Sequence, residues 1–342
     1  MYNYKFKRID EDKFDDFAQN HSFNNIFQTS AWAKVKKNWN NLYFAVYKND
    51  KIVAAALILV REVKFGFKFA YINKGPLLDF NDQSLLEYFF DNLKYELKKR
   101  KIIFLKVDPK KVILKGSIDD KEMVKNASDK NFIESMNKCG LKHSGYSLSL
   151  HDTIQPRVQM TFEIDDDIDA VIGSKTMKKV RSSIRKGVYF KFENDANNLA
   201  NLINFTEQRH DIKLRDKEYF QLILDSFADN ATVLTAFYDG KAISSCLLVK
   251  SKDICEILYS GYNDEYKKLK STYPMRYKAI EYARDNGCKY FNFGGVQGTL
   301  DDGLTIFKSS FRPKVYVYAG EFEMYPYKLI SRLAAIFYQK MK

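Results

Sequence analysis

Two stretches, "AVYKNDKIVAAALILV" (Ala45 to Val60) and "TAFYDGKAISSCLLVK" (Thr235 to Lys250), share one alternation of apolar and polar positions: β-forming residues, a polar turn, and a second apolar run. Asn49-Asp50 and Asp239-Gly240 are residues that accept the backbone of a tight hairpin turn, so each stretch predicts a β-hairpin. Lys51 and Lys241, which close the turns, are 190 positions apart. Downstream, helical patterns in "SLLEYFFDNLKYELKKR" and "YPMRYKAIEYARDNG" lead into short apolar strands, "KIIFLKVDP" and "CKYFNFGGV", and Ile102 and Tyr290 stand 188 positions apart. Two nearly equal offsets predict a duplicated α/β unit. Elsewhere the pattern predicts a helix through "FQTSAWAKVKKNW", with Trp32, Val35 and Trp39 facing inward, Lys34 and Lys37 outward, and Lys36 beside the buried edge.

A meander of antiparallel strands, a helix, and a strand entering beside it form the core plan of the GNAT acyltransferase fold. The expected architecture is therefore α/β (α+β): two tandem GNAT-like domains with a cleft as the default site. The first spans 1–145 and is completed by the C-terminal segment 316–342; the second spans 146–315. At 342 residues and 45% hydrophobic content the chain can bury a substantial core. The longest apolar run, "IVAAALILV", has nine residues, too few to span a bilayer, and the N-terminus lacks the apolar core of a signal peptide. A cytoplasmic protein is expected, with peripheral contact at the inner membrane face as an option. That option rests on the last segment, "YPYKLISRLAAIFYQKMK", whose apolar face either touches an anionic membrane or docks on the first domain.

Charge narrows the partners. Against 43 Asp and Glu stand 56 Lys and Arg, a net charge of +13, which favours an anionic partner: nucleic acid, a nucleotide-linked substrate or an anionic membrane. The four cysteines are scattered and the four histidines lie in no metal or triad spacing, so no metal and no Ser-His-Asp chemistry are expected. Gly294, Gly295 and Gly298 in "FNFGGVQGTLDDGLTIFKSSF" match neither a phosphate loop nor a dinucleotide fingerprint. No cofactor is implied, and any bond made must draw its energy from an activated substrate.

Several residues remain as candidates. Lys308 lies on an apolar segment, and lysines are rarely buried unless paired or functional. Asp108 ends a strand before Pro109, where a carboxylate either orients an amine or caps the next turn. Lys36 is either an amphipathic-helix residue between two core indoles or a phosphate ligand held by them. Arg215, in "RHDIKLRDKEYF", can clamp a phosphate through two N–H groups or pair with Asp216 or Glu218 on the surface. The basic stretch "SKTMKKVRSSIRKGVYFK", with Lys175, Lys178, Lys179, Arg181 and Arg185, is either a solvated helix face or a grip on RNA phosphates.

In combination, "FQTSAWAKVKKNW", "FAYINKGPLLD", "HDTIQPRVQMTFEI", "SKTMKKVRSSIRKGV", "RHDIKLRDKEYF" and "FNFGGVQGTLDDGLTIFKSSF" stand in the order of one family. The chain resembles the FemABX non-ribosomal peptidyltransferases, nearest to the short FemX type. The resemblance implies transfer of an amino acid from aminoacyl-tRNA to the side-chain amine at the third position of a peptidoglycan stem peptide, building the interpeptide bridge. The acceptor would be UDP-MurNAc-pentapeptide or lipid II. By matching position, Lys36 and Arg215 become ligands of the precursor's diphosphate, and Tyr219 and Tyr259 line its site. Lys308 is then placed near the reacting centre or the tRNA end, and Asp108 is a carboxylate near the amine. Lys74, in "NKGP", matches a motif without an assigned role. No long heptad segment interrupts the second half, so no coiled-coil arm is expected. Rival readings are an acyl-CoA-dependent GNAT N-acyltransferase and a non-catalytic RNA- or membrane-binding protein.

Overall fold

The computed structural model describes residues 4–63, 66–150, 152–210 and 213–327, the side chains of 209 and 210 excepted. The terminal segment weighed above as a membrane or docking helix lies, from residue 328, outside the described residues. The chain divides into two compact units. The first takes Met1–Leu114, Lys125–Arg157 and the residues from Val317 on, and the second takes Lys115–Val124 and Val158–Tyr316.

The first unit opens with β1 (Tyr4–Arg8), α1 (Glu11–Asn20), α2 (Ser30–Val35), β2 (Asn40–Lys48), β3 (Lys51–Glu62), β4 (Lys68–Asn73), α3 (Gln83–Lys99) and β5 (Ile102–Asp108). Left-handed backbone at Asn49 (φ 49°) and Asp50 (φ 60°) closes the two-residue turn between β2 and β3, as their side chains permit. Asp82 caps α3 by accepting from Leu85 N, satisfying one of the free N–H groups of the first turn. The helix buries Leu86, Phe89, Phe90, Leu93 and Leu97 against the sheet; each fully buried side chain of this kind contributes about 2 kcal/mol by transfer from water. The chain then passes through β6 (Val112–Gly116), α4 (Lys121–Asn126), α5 (Lys130–Lys138) and β7 (Lys142–His143).

The second unit follows with β8 (Val158–Glu163), α6 (Ile168–Ile172), α7 (Ser174–Arg185), β9 (Tyr189–Glu193), α8 (Asn197–His210) and α9 (Lys217–Phe227). After them come β10 (Ala231–Tyr238), β11 (Lys241–Ser251), β12 (Ile254–Tyr262), α10 (Thr272–Asp285), β13 (Tyr290–Gly295), α11 (Gly303–Ser309) and β14 (Lys314–Tyr318). β15 (Phe322–Met324) then enters the first unit's sheet, which runs β1-β2-β3-β4-β5-β15-β7. The second sheet runs β6-β14-β8-β13-β12-β11-β10-β9.

The duplication is visible down to its irregularities. Asp239 (φ 49°) and Gly240 (φ 72°) repeat the first turn. A bulge between Val46 and Tyr47 recurs between Ala236 and Phe237. In both units a parallel strand follows the helix, yet the pairings differ in length. β4 and β5 stay paired from Lys68↔Ile102 to Asn73↔Asp108, with one register shift after Lys68, whereas β12 and β13 pair only from Ile254↔Tyr290 to Glu256↔Asn292. Beyond Glu256 the second pair separates, and α8 covers the freed half of β12. Gly261 permits that approach: a Cβ there would come within 2.7 Å of Ile203 N. Among the described residues no helix is long and apolar enough to cross a membrane.

Candidate active site

In the first unit the polar centre lies on the sheet face opposite α3, because Lys106 and Asp108 are two apart on β5 and project together. Asp108 is 2% exposed, and Lys74, 4% exposed, follows Asn73, the β4 residue in register with it. The ammonium of Lys74 donates to Oδ1 of Asp108 at 3.3 Å. It also stands 3.2 Å from Oδ2, off the line of a hydrogen bond, so Oδ2 retains an unfilled acceptor position. The ring of Tyr318 lies 4.4 Å from the same ammonium, a contact that favours a cation. Burial raises the Asp108 carboxyl to about 6, Lys74 pulls it down, and Glu321 pushes it up. Asp108 is thus buried beside Lys74, with one carboxylate oxygen left without a hydrogen bond.

The Lys74 backbone is held by buried amides. Asn25 donates to its carbonyl at 3.0 Å. Gln28 donates to Asn73 O at 2.8 Å and to Leu57 O at 3.2 Å, and accepts from Leu57 N. Alongside, Lys106 donates to Glu321 at 2.6 Å and meets Glu323 at 3.4 Å. Sequence reasoning missed Lys106 and Glu321. The available signal was a lysine inside the apolar strand "IIFLKVD", which obliges a buried partner somewhere in the chain.

Lys36 is half-buried, with its ammonium 4.6 Å from the Trp32 ring. The helix that carries Trp32 ends at Val35, and Lys36 itself leaves helical geometry (φ −89°, ψ 43°). Trp39 is therefore not a second inward helical indole. It stands beyond a turn, half-buried, with Arg61 5.9 Å from its ring.

In the second unit Lys308 belongs to the short helix α11 and is 5% exposed. It donates to the carbonyl of Gly295 at 2.7 Å, at the end of β13 where the strands have separated. Burial lowers its ammonium to about 7, Arg276 lowers it further, and Asp302 raises it. Arg276, also 5% exposed, donates from one nitrogen to Ser260 Oγ at 2.9 Å. Its Nε and Nη1 are buried with no acceptor in hydrogen-bond geometry; the Cys246 thiol acts on the guanidinium electrostatically. Arg276 gave no warning in the sequence, where it sits in an ordinary amphipathic helix.

Arg215, Tyr219 and Tyr259 come together in the same unit. The Arg215 guanidinium lies 5.1 Å from the Tyr219 ring, and the two tyrosine rings are 6.3 Å apart at 84°. Burial pushes both phenols up while Arg215 pulls them down. Among the described residues Arg215 forms no ion pair with Asp216 or Glu218. Asp216 instead caps α9 by accepting from Tyr219 N. On α7, Lys175, Lys178 and Arg185 are exposed. Lys179 donates to Tyr273 OH at 2.9 Å, and Arg181 pairs with Asp169 at 2.9 Å, so part of the helix's charge is engaged within the unit.

A profile described as the FemAB family matches residues 9–242 and 235–339. The chain belongs to the FemAB family. A UDP-N-acetylmuramoylpentapeptide-lysine N(6)-alanyltransferase of Weissella viridescens is 27% identical to it over 322 residues, covering 90% of this chain and 91% of that protein. A lipid II:glycine glycyltransferase of Staphylococcus haemolyticus (strain JCSC1435) is 24% identical over 395 residues, covering 92% and 91%. Both relatives are transferases by name. The crystal structure of FemX matches with a TM-score of 0.80 at 21% identity, covering 94% of this chain and 97% of that one. A tandem GNAT protein from the clavulanic acid biosynthesis pathway matches with a TM-score of 0.58 at 10% identity, covering 95% and 99%. The FemAB chain described here thus has two tandem GNAT-like domains. It carries no coiled-coil arm among its described residues, where the longest helices of the second unit have 14 residues.

Proposed function

We propose that the chain is an aminoacyl-tRNA-dependent aminoacyltransferase that acylates the third-residue side-chain amine of a peptidoglycan stem peptide. The observation that carries this reading is Lys308, a buried lysine poised at about 7 beside the opening between β12 and β13. Two relatives named for alanyl and glycyl transfer to peptidoglycan precursors support the substrate class. The aminoacyl ester is already activated, so the chemistry needs positioning, charge stabilisation and proton handling.

In the proposed step the neutral amine attacks the ester carbonyl carbon. The carbon–oxygen bond to the ribose breaks, the amide forms, and the amine's proton ends on the departing ribose hydroxyl. Asp108 offers its unfilled Oδ2 acceptor to an N–H of the amine and orients it. As a general base it is poorly matched, since a lysine-type ammonium titrates near ~10.4 and Asp108 near 6. Lys308 in its charged form stabilises the carbonyl oxygen as negative charge develops, or a phosphate of the tRNA end. Lys36 and Arg215 hold the acceptor's diphosphate, Tyr219 and Tyr259 line its site, and the exposed α7 cations engage tRNA.

The direct test supplies labelled aminoacyl-tRNA with UDP-MurNAc-pentapeptide or lipid II, and acetyl-CoA as the competing donor. RNase-sensitive transfer of an amino acid is expected. Transfer from acetyl-CoA alone would leave the fold assignment standing and replace the function with acyl-CoA-dependent N-acylation, which the strand separation in the second unit also suits. Lys36→Met and Arg215→Met should each weaken acceptor binding by about tenfold or more without changing the fold, since a charge-assisted contact is worth about 1.5–3 kcal/mol. Calorimetric affinities equal to the parent's in both variants would remove the diphosphate assignment.

A further inference from the structure

At the opposite end of β5 from Asp108, about 20 Å away along the strand, lies a cavity of about 460 Å3 that none of the roles above uses. Its floor is Leu42, Val60 and Ile102, at the end of the core that α3 covers. Its polar walls are Arg8, Lys68, Arg100, Asn40, Asn41 and the half-buried indole of Trp39, with no carboxylate among the lining residues. Arg100 is neutralised by Glu96 of α3. Arg8 and Lys68 form no ion pair among the described residues, so the lining keeps a net positive charge. Arg61 of β3, which is not a lining residue, stands 5.9 Å from the Trp39 ring.

We propose that this cavity binds a nucleoside phosphate. An apolar floor with one flat aromatic wall suits a planar ring, which stacks on an indole regardless of its identity. Asn40, which shares the sheet face of its register partner Val60, supplies an amide donor and acceptor for the edge of that ring. Arg8 and Lys68, which form no ion pair among the described residues although Glu62 is the register partner of Lys68, supply the charge that a phosphate requires. A volume of about 460 Å3 falls within the range of small-ligand sites. The ligand is either a free mononucleotide or one nucleotide of a single-stranded RNA. The inference rests on the cavity alone and not on the transfer reaction.

Trp32 and Trp39 are the chain's two tryptophans, so the full chain's intrinsic fluorescence reports on the site. It is titrated with AMP, UMP, a single-stranded RNA hexanucleotide and inorganic phosphate. Saturable quenching by a mononucleotide or the RNA is expected, with affinity reduced about tenfold in Arg8→Gln and in Lys68→Gln and the quench lost in Trp39→Leu. Tighter binding of the RNA than of either mononucleotide identifies RNA as the source, and no such gain identifies a free nucleotide. The absence of saturable nucleotide or RNA binding would overturn the proposal, as would binding that Arg8→Gln and Lys68→Gln leave unchanged. Inorganic phosphate held as tightly as AMP would reduce the cavity to a plain anion site and also overturn it. Should Trp39→Leu fail to fold, Trp39→Phe keeps a flat ring and must retain mononucleotide affinity by equilibrium dialysis; loss of affinity there counts against stacking.

Discussion

Lys308→Met is expected to melt at a higher temperature than the parent chain at pH 7.5 while losing aminoacyl transfer. Burial holds the folded-state ammonium near 7 rather than its ordinary 10.5. The folded chain therefore binds this proton less readily than the unfolded chain does. The stability associated with Lys308 is full above pH 10.5, falls as the pH drops from 10.5 towards 7, and stays low below that. At pH 7.5 the penalty is on the order of 4 kcal/mol. Methionine fills much the same volume without it, while the Gly295 carbonyl loses its donor at a cost of about 1–3 kcal/mol. The difference, on the order of 1–3 kcal/mol, should appear as a rise of a few degrees in Tm. It should reverse in melts at pH 10.5, where the folded lysine is neutral and the unfolded one half-neutral, so that little charge penalty remains and the lost hydrogen bond to Gly295 decides the sign. A variant that melts lower at both pH values would make Lys308 a structural residue, and a variant that still transfers would exclude it from the chemistry.

What could be read from the sequence were the local demands. Asn49-Asp50 and Asp239-Gly240 announced hairpins because few residues accept left-handed backbone at two successive positions, and the 190-residue offset made the duplication legible. Helical spacing misplaced Trp39 because periodicity does not know where the chain must turn into β2; α2 stops at Val35 despite the pattern continuing. Candidate residues were legible as types, not as pairs. Lys74 and Asp108 are 34 positions apart, and Lys106 and Glu321 are 215 apart, so no local pattern links them. Arg215 beside Asp216 read equally well as a surface ion pair. The cap on α9 occupies Asp216 and leaves the guanidinium over Tyr219.

Lys74→Met is expected to destabilise the chain by about 3–5 kcal/mol at pH 7.5, the cost of leaving a buried carboxylate without its partner, and by much less at pH 4.5. The folded Asp108 carboxyl titrates at about 6 against 3.8 for an ordinary one. Its ionisation therefore already opposes folding as the pH rises from 3.8 through 6, with Lys74 limiting that loss. Without Lys74 the folded pKa climbs further, and the penalty continues to grow above pH 6. Below pH 4.5 the carboxyl is neutral and the missing ammonium matters little. Chemical denaturation of Lys74→Met across pH 4 to 8 should show this widening gap, and a pH-independent loss would mean that packing against Tyr318, not charge pairing, is what Lys74 supplies. Asp108→Asn separates the carboxylate's two proposed roles. An amide oxygen still accepts an N–H, so orientation of the amine survives and kcat should fall by about tenfold. Loss of a general base would lower it by about 10²–10⁴. Because asparagine does not titrate, its stability profile should also lack the slope between pH 3.8 and 6, which ties the kinetic result to the same buried carboxyl.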